Sequence, residues 1–437
     1  MLKILVISRT PWRNDNSFGN TASNLFDRME NVEIANVCLA DGLPFENKNV
    51  SRYFHISEKA VAKSIFKPHS HDNAIGCEVC PVKPLNQKNQ IKDKSLFARA
   101  VNYGKRHQTP LFFLFREAIW KYGNIDYDGL MEFIQNFNPD VIFASMYYAG
   151  YVDRVMIEIH KRIKIPIILS AGIDVYTLKQ ISFDPFYWIN RFYVRYKTRQ
   201  IIKIANLLYV ISDKQKEDYQ KIFRIPVKVK YKIPDESRCQ YIYTRSSHPV
   251  KYFYAGNLGL GRWKSLALLV KALKQTGNAT LDIYTQTPLN HRQISLLNVE
   301  GVSRVHPPIT QSKVIELQNS SDVLVHVESF NLKNKLETRY AISTKVMDYI
   351  SVGRCILAIG PSDIASTMYL DDRKLAYTAR NKKDLLQIVK MLNTSEQAII
   401  ECANRNKEYI KSINANDMIK RIKQDFVEIS NNYHSTK

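Results

Sequence analysis

The sequence predicts an α/β protein made of two consecutive Rossmann-like domains, and three observations lead there. Short apolar runs recur behind turn residues, and each is followed by a helical pattern. The runs lack polar alternation, which marks strands buried on both faces of a parallel sheet. The pattern lapses once, over 233–249, into Pro, Ser, Arg and Asp before it starts again, as expected of a domain boundary. At 437 residues the chain has room for two domains of roughly 200 residues each.

In the first domain, Leu2–Ser8 reads as the opening strand, Thr21–Met29 as a helix and Val32–Leu39 as the second strand. Pro139-Asp140 then leads into Val141–Ser145, Ile165-Pro166 into Ile167–Ser170, and Ala205-Asn206 into Leu207–Ser212. The second domain begins at Val250–Tyr254, followed by a glycine-containing turn and the helix Leu266–Lys274. Strands are expected at Thr280–Tyr284, Val323–Val327 and Cys355–Ile359, and Lys382–Tyr433 is helical in period. The boundaries are set at 1–240 and 241–437, with the terminal helix free to pack back on the first domain.

Open parallel sheets bind ligands beyond the carboxyl ends of their strands. The loops to inspect are therefore Ser8–Asn20, Ser170–Tyr176, Gly256–Lys264 and Glu328–Lys345. In Tyr254–Lys264, glycines such as Gly256 let backbone N–H groups approach a phosphate, which Arg262 and Lys264 can neutralise. A plain tight turn would have the same composition. Val325–Phe330 ends a strand in the carboxylate Glu328. Further on, Ser343 and Thr344 stand where a helix N-cap belongs, ahead of a short helix closed by Gly353. With Lys345 beside them, these hydroxyls make an anion site. Asp348, one turn later, can reach a ribose diol.

The net charge of +22 implies an anionic partner. No acidic residue lies between Asp184 and Asp213, where Phe186, Tyr187, Trp188, Phe192, Tyr193 and Tyr196 interleave with Arg191, Arg195, Lys197, Arg199 and Lys203. Leu111–Phe115, flanked by Lys105, Arg106 and Arg116, repeats the pattern. Such stretches suit an anionic membrane surface; equally, the aromatic residues can be core and the basic ones a solvated face. No nucleic-acid module is recognisable, and no nucleic-acid partner is expected. Six scattered cysteines form no disulfide framework, which points to a reducing compartment. The N-terminus runs straight into a strand and no run of about 18 apolar residues occurs, so a cytoplasmic protein is expected. His69-x-His71 with Cys77-x-x-Cys80 fits no zinc spacing and reads as a loop, and Asp126-x-Asp128 reads as a solvated turn. No metal is expected.

The combination of the Gly256–Lys264 turn, Glu328-Ser329-Phe330 and the Ser343–Gly353 helix resembles the retaining GT-B glycosyltransferases of the group 1 type. In particular it is similar to the bacterial enzymes of capsule, O-antigen and exopolysaccharide synthesis. Their fold has two Rossmann-like domains facing each other across a cleft. Lys264 with Ser265–Leu273 matches the family's Lys-Gly-helix element, with Ser265 in place of the glycine. Glu328-Ser329-Phe330 matches its Glu-x-Phe, and Asp348, five residues before Gly353, matches a second carboxylate that is usually Glu. Asn257 stands where the family has Arg, and Asn331–Tyr340 reads as an insertion between the two carboxylates.

The resemblance implies transfer of a sugar, with retention and without metal, from a nucleotide diphosphate sugar of UDP or GDP type; no other cofactor is implied. It assigns Gly256, Asn257, Arg262, Lys264, Ser343, Thr344, Lys345 and Asp348 to the nucleotide diphosphate, and Glu328, Lys264 and Asp174 to catalysis; Asp174, following a strand, reads equally as a polar contact to acceptor or donor sugar and as a structural N-cap. Residues 1–240 become the acceptor domain, with Arg9–Asn20 as an acceptor-side loop and 241–437 as the nucleotide-sugar domain. The acceptor implied is a polyprenyl-linked saccharide at the inner face of the plasma membrane. A GT-B-fold nucleotide-sugar epimerase and a non-catalytic relative binding sugars or anionic surfaces are the rival readings.

Overall fold

The structure, a computed structural model, describes residues 1–83, 109–239 and 249–435. Two compact units are present: Met1–Tyr231 with Asn416–Lys437, and Lys232–Ala415. The division falls at Tyr231, ahead of the 240 expected from composition, because Lys232 and Arg238 bond to the second unit.

The first unit is an eight-stranded sheet ordered β4-β3-β2-β1-β5-β6-β7-β8. Its strands are β1 (Leu2–Ser8), β2 (Val32–Cys38), β3 (Val50–His55), β4 (Cys77–Glu78), β5 (Val141–Met146), β6 (Ile167–Ala171), β7 (Leu207–Val210) and β8 (Val227–Val229). All neighbours pair in parallel except β3 and β4. Ile4–Ile7 and Val141–Ala144 are buried on both faces, which is why their sequences show no alternation. The strands of this unit missed from sequence, β3, β4 and β8, lie at or next to an edge. There Ser51, Arg52 and Glu78 meet solvent and break the apolar run.

Helices α1 (Ser17–Phe26), α2 (Glu58–Ser64), α3 (Pro110–Tyr122), α4 (Tyr127–Phe137), α5 (Gly150–Arg162), α6 (Pro185–Ile202) and α7 (Asp213–Gln220) belong to this unit. α1 starts before the expected Thr21 because Asn16 caps it, its side chain accepting from Gly19 N. Gly19 must lack a Cβ, which would overlap the Arg13 carbonyl.

The second unit is an all-parallel sheet ordered β11-β10-β9-β12-β13-β14. Its elements are β9 (Val250–Ala255), α8 (Arg262–Thr276), β10 (Ala279–Tyr284), α9 (His291–Leu297), β11 (Ser303–His306), α10 (Gln311–Asn319), β12 (Val323–Val327), α11 (Leu332–Thr338), α12 (Thr344–Val352), β13 (Cys355–Ile359), α13 (Ala365–Asp372), β14 (Tyr377–Ala379), α14 (Lys382–Thr394) and α15 (Glu396–Ser412). Leu266, Leu269 and Leu273 of α8 pack with Val250, Leu281, Val323 and Leu357 in one core. The strand order reverses between β9 and β12, which places the ligand crevice of such a sheet at their carboxyl ends.

The last helix, α16 (Ala415–Ser435), returns to the first unit. Phe426 is fully buried, with ring centroids 6.3 Å from Phe26 and 5.8 Å from Phe143. Asp425 accepts from Tyr209 Oη and Lys228 Nζ, and Lys423 Nζ donates to Glu30 O at 2.7 Å.

Candidate functional site

At the end of β9 the chain turns through Gly256–Gly261. Asn257 holds this turn, its Oδ1 accepting from Gly259 N at 2.5 Å and from Thr287 Oγ1 at 3.4 Å. Its role here is that of a turn anchor. Gly261, at φ 74°, caps α8, and a Cβ on it would meet Ser329 Oγ at 2.6 Å and Asn334 Nδ2 at 2.7 Å. Arg262 is therefore the first residue of the helix and not part of the loop. The expected insertion is folded as α11, which holds Asn334 against Ser329 Oγ at 3.3 Å and buttresses the Gly261 turn.

Glu328 stands at the end of β12, 3% exposed. Ser265 Oγ donates to its carbonyl at 2.7 Å, so the serine found in place of the family's glycine pins the carboxylate's backbone. Arg262 grips the carboxylate as a fork, with Nε to Oε2 at 3.2 Å and Nη2 to both oxygens at 3.1 Å. Burial raises the Glu328 carboxyl above its ordinary range, opposed by the charges of Arg262 and Lys345.

Lys345 enters from the first turn of α12, whose N-cap Ser343 accepts from Lys345 N at 3.4 Å. Its Nζ lies 4.4 Å from the Tyr254 ring centroid and donates to Tyr254 Oη at 3.3 Å, while Tyr254 donates to Asn257 O at 2.8 Å. Gly256 leaves the space that this ammonium fills, since a Cβ there would overlap it. Burial pushes Lys345 down to about 8, with Arg262 adding to the effect and Glu328 opposing it. Two cations and one carboxylate thus share a part-buried corner beside a helix N-terminus.

The structure brings Gly256, Arg262, Glu328, Ser343 and Lys345 together. It places three other expected residues differently. Lys264 is exposed on α8, its Nζ 5.6 Å from the Trp263 ring centroid. Thr344 is exposed at the first position of α12. Asp348 accepts from Lys232 Nζ at 2.6 Å and Arg238 Nη1 at 3.2 Å, so a ribose would have to compete with two cations. Sequence reasoning missed Tyr254, Lys232 and Arg238. Nothing marked the two cations, which lie where the α/β pattern lapses.

Asp174, in the first unit, is buried and fully engaged instead of open to a sugar. Its Oδ1 accepts from Tyr176 N at 3.1 Å, Thr177 N at 2.9 Å and Tyr219 Oη at 3.1 Å. Its Oδ2 accepts from Thr177 Oγ1 and Gln180 Nε2, both at 2.6 Å. Arg191 stands 3.3 Å away, buried, and donates to the Asp174 and Thr177 carbonyls. No helix starts here, so the carboxylate is not an N-cap; it ties together the loop that follows β6. Asp174→Ala is expected to lower unfolding free energy by about 3–5 kcal/mol, because a buried guanidinium loses its counter-ion. Denaturant titration checks this; unchanged stability would return Asp174 to the site.

Arg191, expected on a basic surface, is thus core. Phe192 and Tyr196 on α6, and Phe115 on α3, are instead 54–56% exposed, and the two helices pack on each other. Lys105 and Arg106 lie outside the described residues. His69, His71, Cys77 and Cys80 are exposed, and no group of three metal-binding side chains occurs among the described residues. Asp126 caps α4, accepting from Gly129 N at 2.8 Å, and Asp128 pairs with Arg162 at 2.8 Å. Among the described residues no helix is long and apolar enough to cross a membrane.

No protein-family model matches the chain, and no curated protein matches its sequence. Solved structures do match. An α,α-trehalose-6-phosphate synthase from Burkholderia multivorans has a TM-score of 0.60 at 10% identity, covering 100% of this chain and 98% of that one. WaaG, a glycosyltransferase involved in lipopolysaccharide biosynthesis, has a TM-score of 0.53 at 12% identity over 97% and 98%. The O-GlcNAc transferase of Thermobaculum terrenum has 0.57 at 10% identity over 100% and 68%. At such identities the likeness establishes architecture: the chain has the GT-B fold.

Proposed function

We propose that this GT-B chain is a glycosyltransferase whose second unit holds a nucleotide diphosphate sugar. In this reading the sugar moves, with retention of configuration, onto a membrane-linked oligosaccharide in bacterial surface polysaccharide synthesis. The observation that carries the reading is the corner of Arg262, Lys345 and the Ser343-capped start of α12 at the strand-order reversal between β9 and β12. Leaving-group charge on a diphosphate is the largest demand of the reaction, and preorganised cations at a helix N-terminus answer it. Glu328, hydrogen-bonded to Arg262, is the group that meets the donor sugar in this reading. Lys264, exposed against Trp263, would have to swing to add its charge to the phosphates.

Retention and the absence of a metal are supported by the motif resemblance. The membrane-linked acceptor is supported by aromatic exposure on α3 and α6 beside Lys197 and Arg199. Thermal unfolding with UDP, GDP, ADP and RNA oligomers tests the donor: one nucleoside diphosphate should raise Tm through linkage and RNA should not. No stabilisation by any nucleotide would overturn the reading. Product NMR from the matching nucleotide sugar separates transfer from epimerisation and reads the anomeric outcome. Flotation with anionic vesicles should carry the protein, and indifference to anionic lipid would remove the membrane acceptor.

A further inference from the structure

His326 lies on β12 two residues before Glu328, so both side chains leave the strand on the same face. It is 3% exposed, and its Nε2 has no hydrogen-bond partner. That nitrogen stands 3.9 Å from Glu328 Oε1. An unpaired buried polar atom is costly, and this one faces the very carboxylate that Arg262 holds. Burial, helped by Lys345 and Arg262, pushes the imidazole down to about 3, so the ring is neutral and offers one N–H. Glu328 has little room to retreat. A Cβ on Gly360 would sit 3.1 Å from its own Cβ, and Ser265 fixes its carbonyl.

A donor diphosphate would draw Arg262 away, because a guanidinium binds phosphate by the same fork. That would leave a buried carboxylate without its partner. We propose that His326 is a positioning residue that takes over Glu328 at this moment, its Nε2–H closing the 3.9 Å gap to Oε1 as Arg262 turns to the diphosphate. The inference rests on the reading of the second unit as a nucleotide-sugar site. Its chemical content is a partner exchange: Arg262 serves phosphate, and the imidazole keeps Glu328 ionised and aimed.

The test combines a spectroscopic and a kinetic readout. In protein labelled with ¹⁵N-histidine, His326 is identified as the ring signal lost in His326→Gln, and UDP and GDP are titrated in turn. The nucleotide that raises Tm should also shift the His326 Nε2 resonance. With the matching nucleotide sugar, His326→Leu should lower kcat by about tenfold or more with little change in donor KM. It should also move the acid limb of the pH profile upward, since losing a donor to the ionised carboxyl raises its pKa. His326→Gln, which retains an N–H, should stay within about threefold of wild type. A bound nucleotide with an unmoved resonance overturns the proposal, as does equal turnover, or an equal loss, in both variants. Failure of every nucleotide to raise the wild-type Tm is the separate failure of the nucleotide-sugar reading, and the proposal falls with it. Should the leucine variant not fold, the wild-type resonance decides.

Discussion

Arg262→Ala is expected to damage stability and transfer together. The guanidinium is the hydrogen-bonded counter-ion of a carboxylate that is 3% exposed, and removing one partner of such a pair destabilises by about 3–5 kcal/mol. The deficit has a pH signature. Burial already raises the Glu328 carboxyl, and loss of Arg262 raises it further. The folded state then prefers the protonated acid, so the deficit is largest above the ordinary carboxyl range and shrinks as pH falls. Denaturant unfolding at pH 7 and at about pH 4.3, the ordinary glutamate value, reads this directly. Turnover should fall by about 10²–10³, the scale of losing one leaving-group stabiliser. Arg262→Lys keeps a charge without the fork and should lie between. Wild-type stability at pH 7 would contradict the pairing.

Lys345→Met should separate binding from folding. The ammonium is pushed down to about 8, so it is charged at neutral pH and neutral above that point. An anion favours its protonated form. Wild-type affinity for UDP or GDP should therefore hold steady from pH 7 to about 8 and then weaken, approaching tenfold per pH unit while only the complex stays protonated. Methionine preserves the stem against Tyr254 and removes the charge. The variant should fold at least as well, since a part-buried ammonium is costly, and should bind at least about tenfold more weakly at pH 7. It should also lack the decline above 8, and so controls for the nucleotide's own titration. Calorimetric titration from pH 7 upward checks both; a wild-type profile in the variant would place the anion elsewhere.

Legibility from sequence followed burial. β12 and β13 fall where they were read, at Val323–Val327 and Cys355–Ile359, because strands enclosed on both faces leave continuous apolar runs. α8 starts four residues before the expected Leu266 because a left-handed Gly261, not apolar periodicity, sets its first turn. Arg262, Ser343 and Lys345, the residues proposed to hold the anion, were recognisable from motif and capping pattern. Their mutual arrangement was not, since Arg262 meets Glu328 across 66 residues of chain. Asp174 shows the converse. An aspartate after a strand suits a cap and a substrate contact equally, and the partner that decides, Arg191, sat in a stretch whose cations read as surface. Asp348 was also read without its partners, because Lys232 and Arg238 carry no pattern of their own.

The return of α16 to the first unit has a consequence for how the protein is made. Phe26, Phe143, Tyr209 and Lys228 emerge from the ribosome long before Asp425 and Phe426, the residues that cover or pair with them. At about 5–20 residues per second, the whole second unit is synthesised first, a delay of roughly 10–40 s. The first half of the chain must therefore wait with an apolar patch uncovered, while the second unit, continuous in sequence, can finish folding before it.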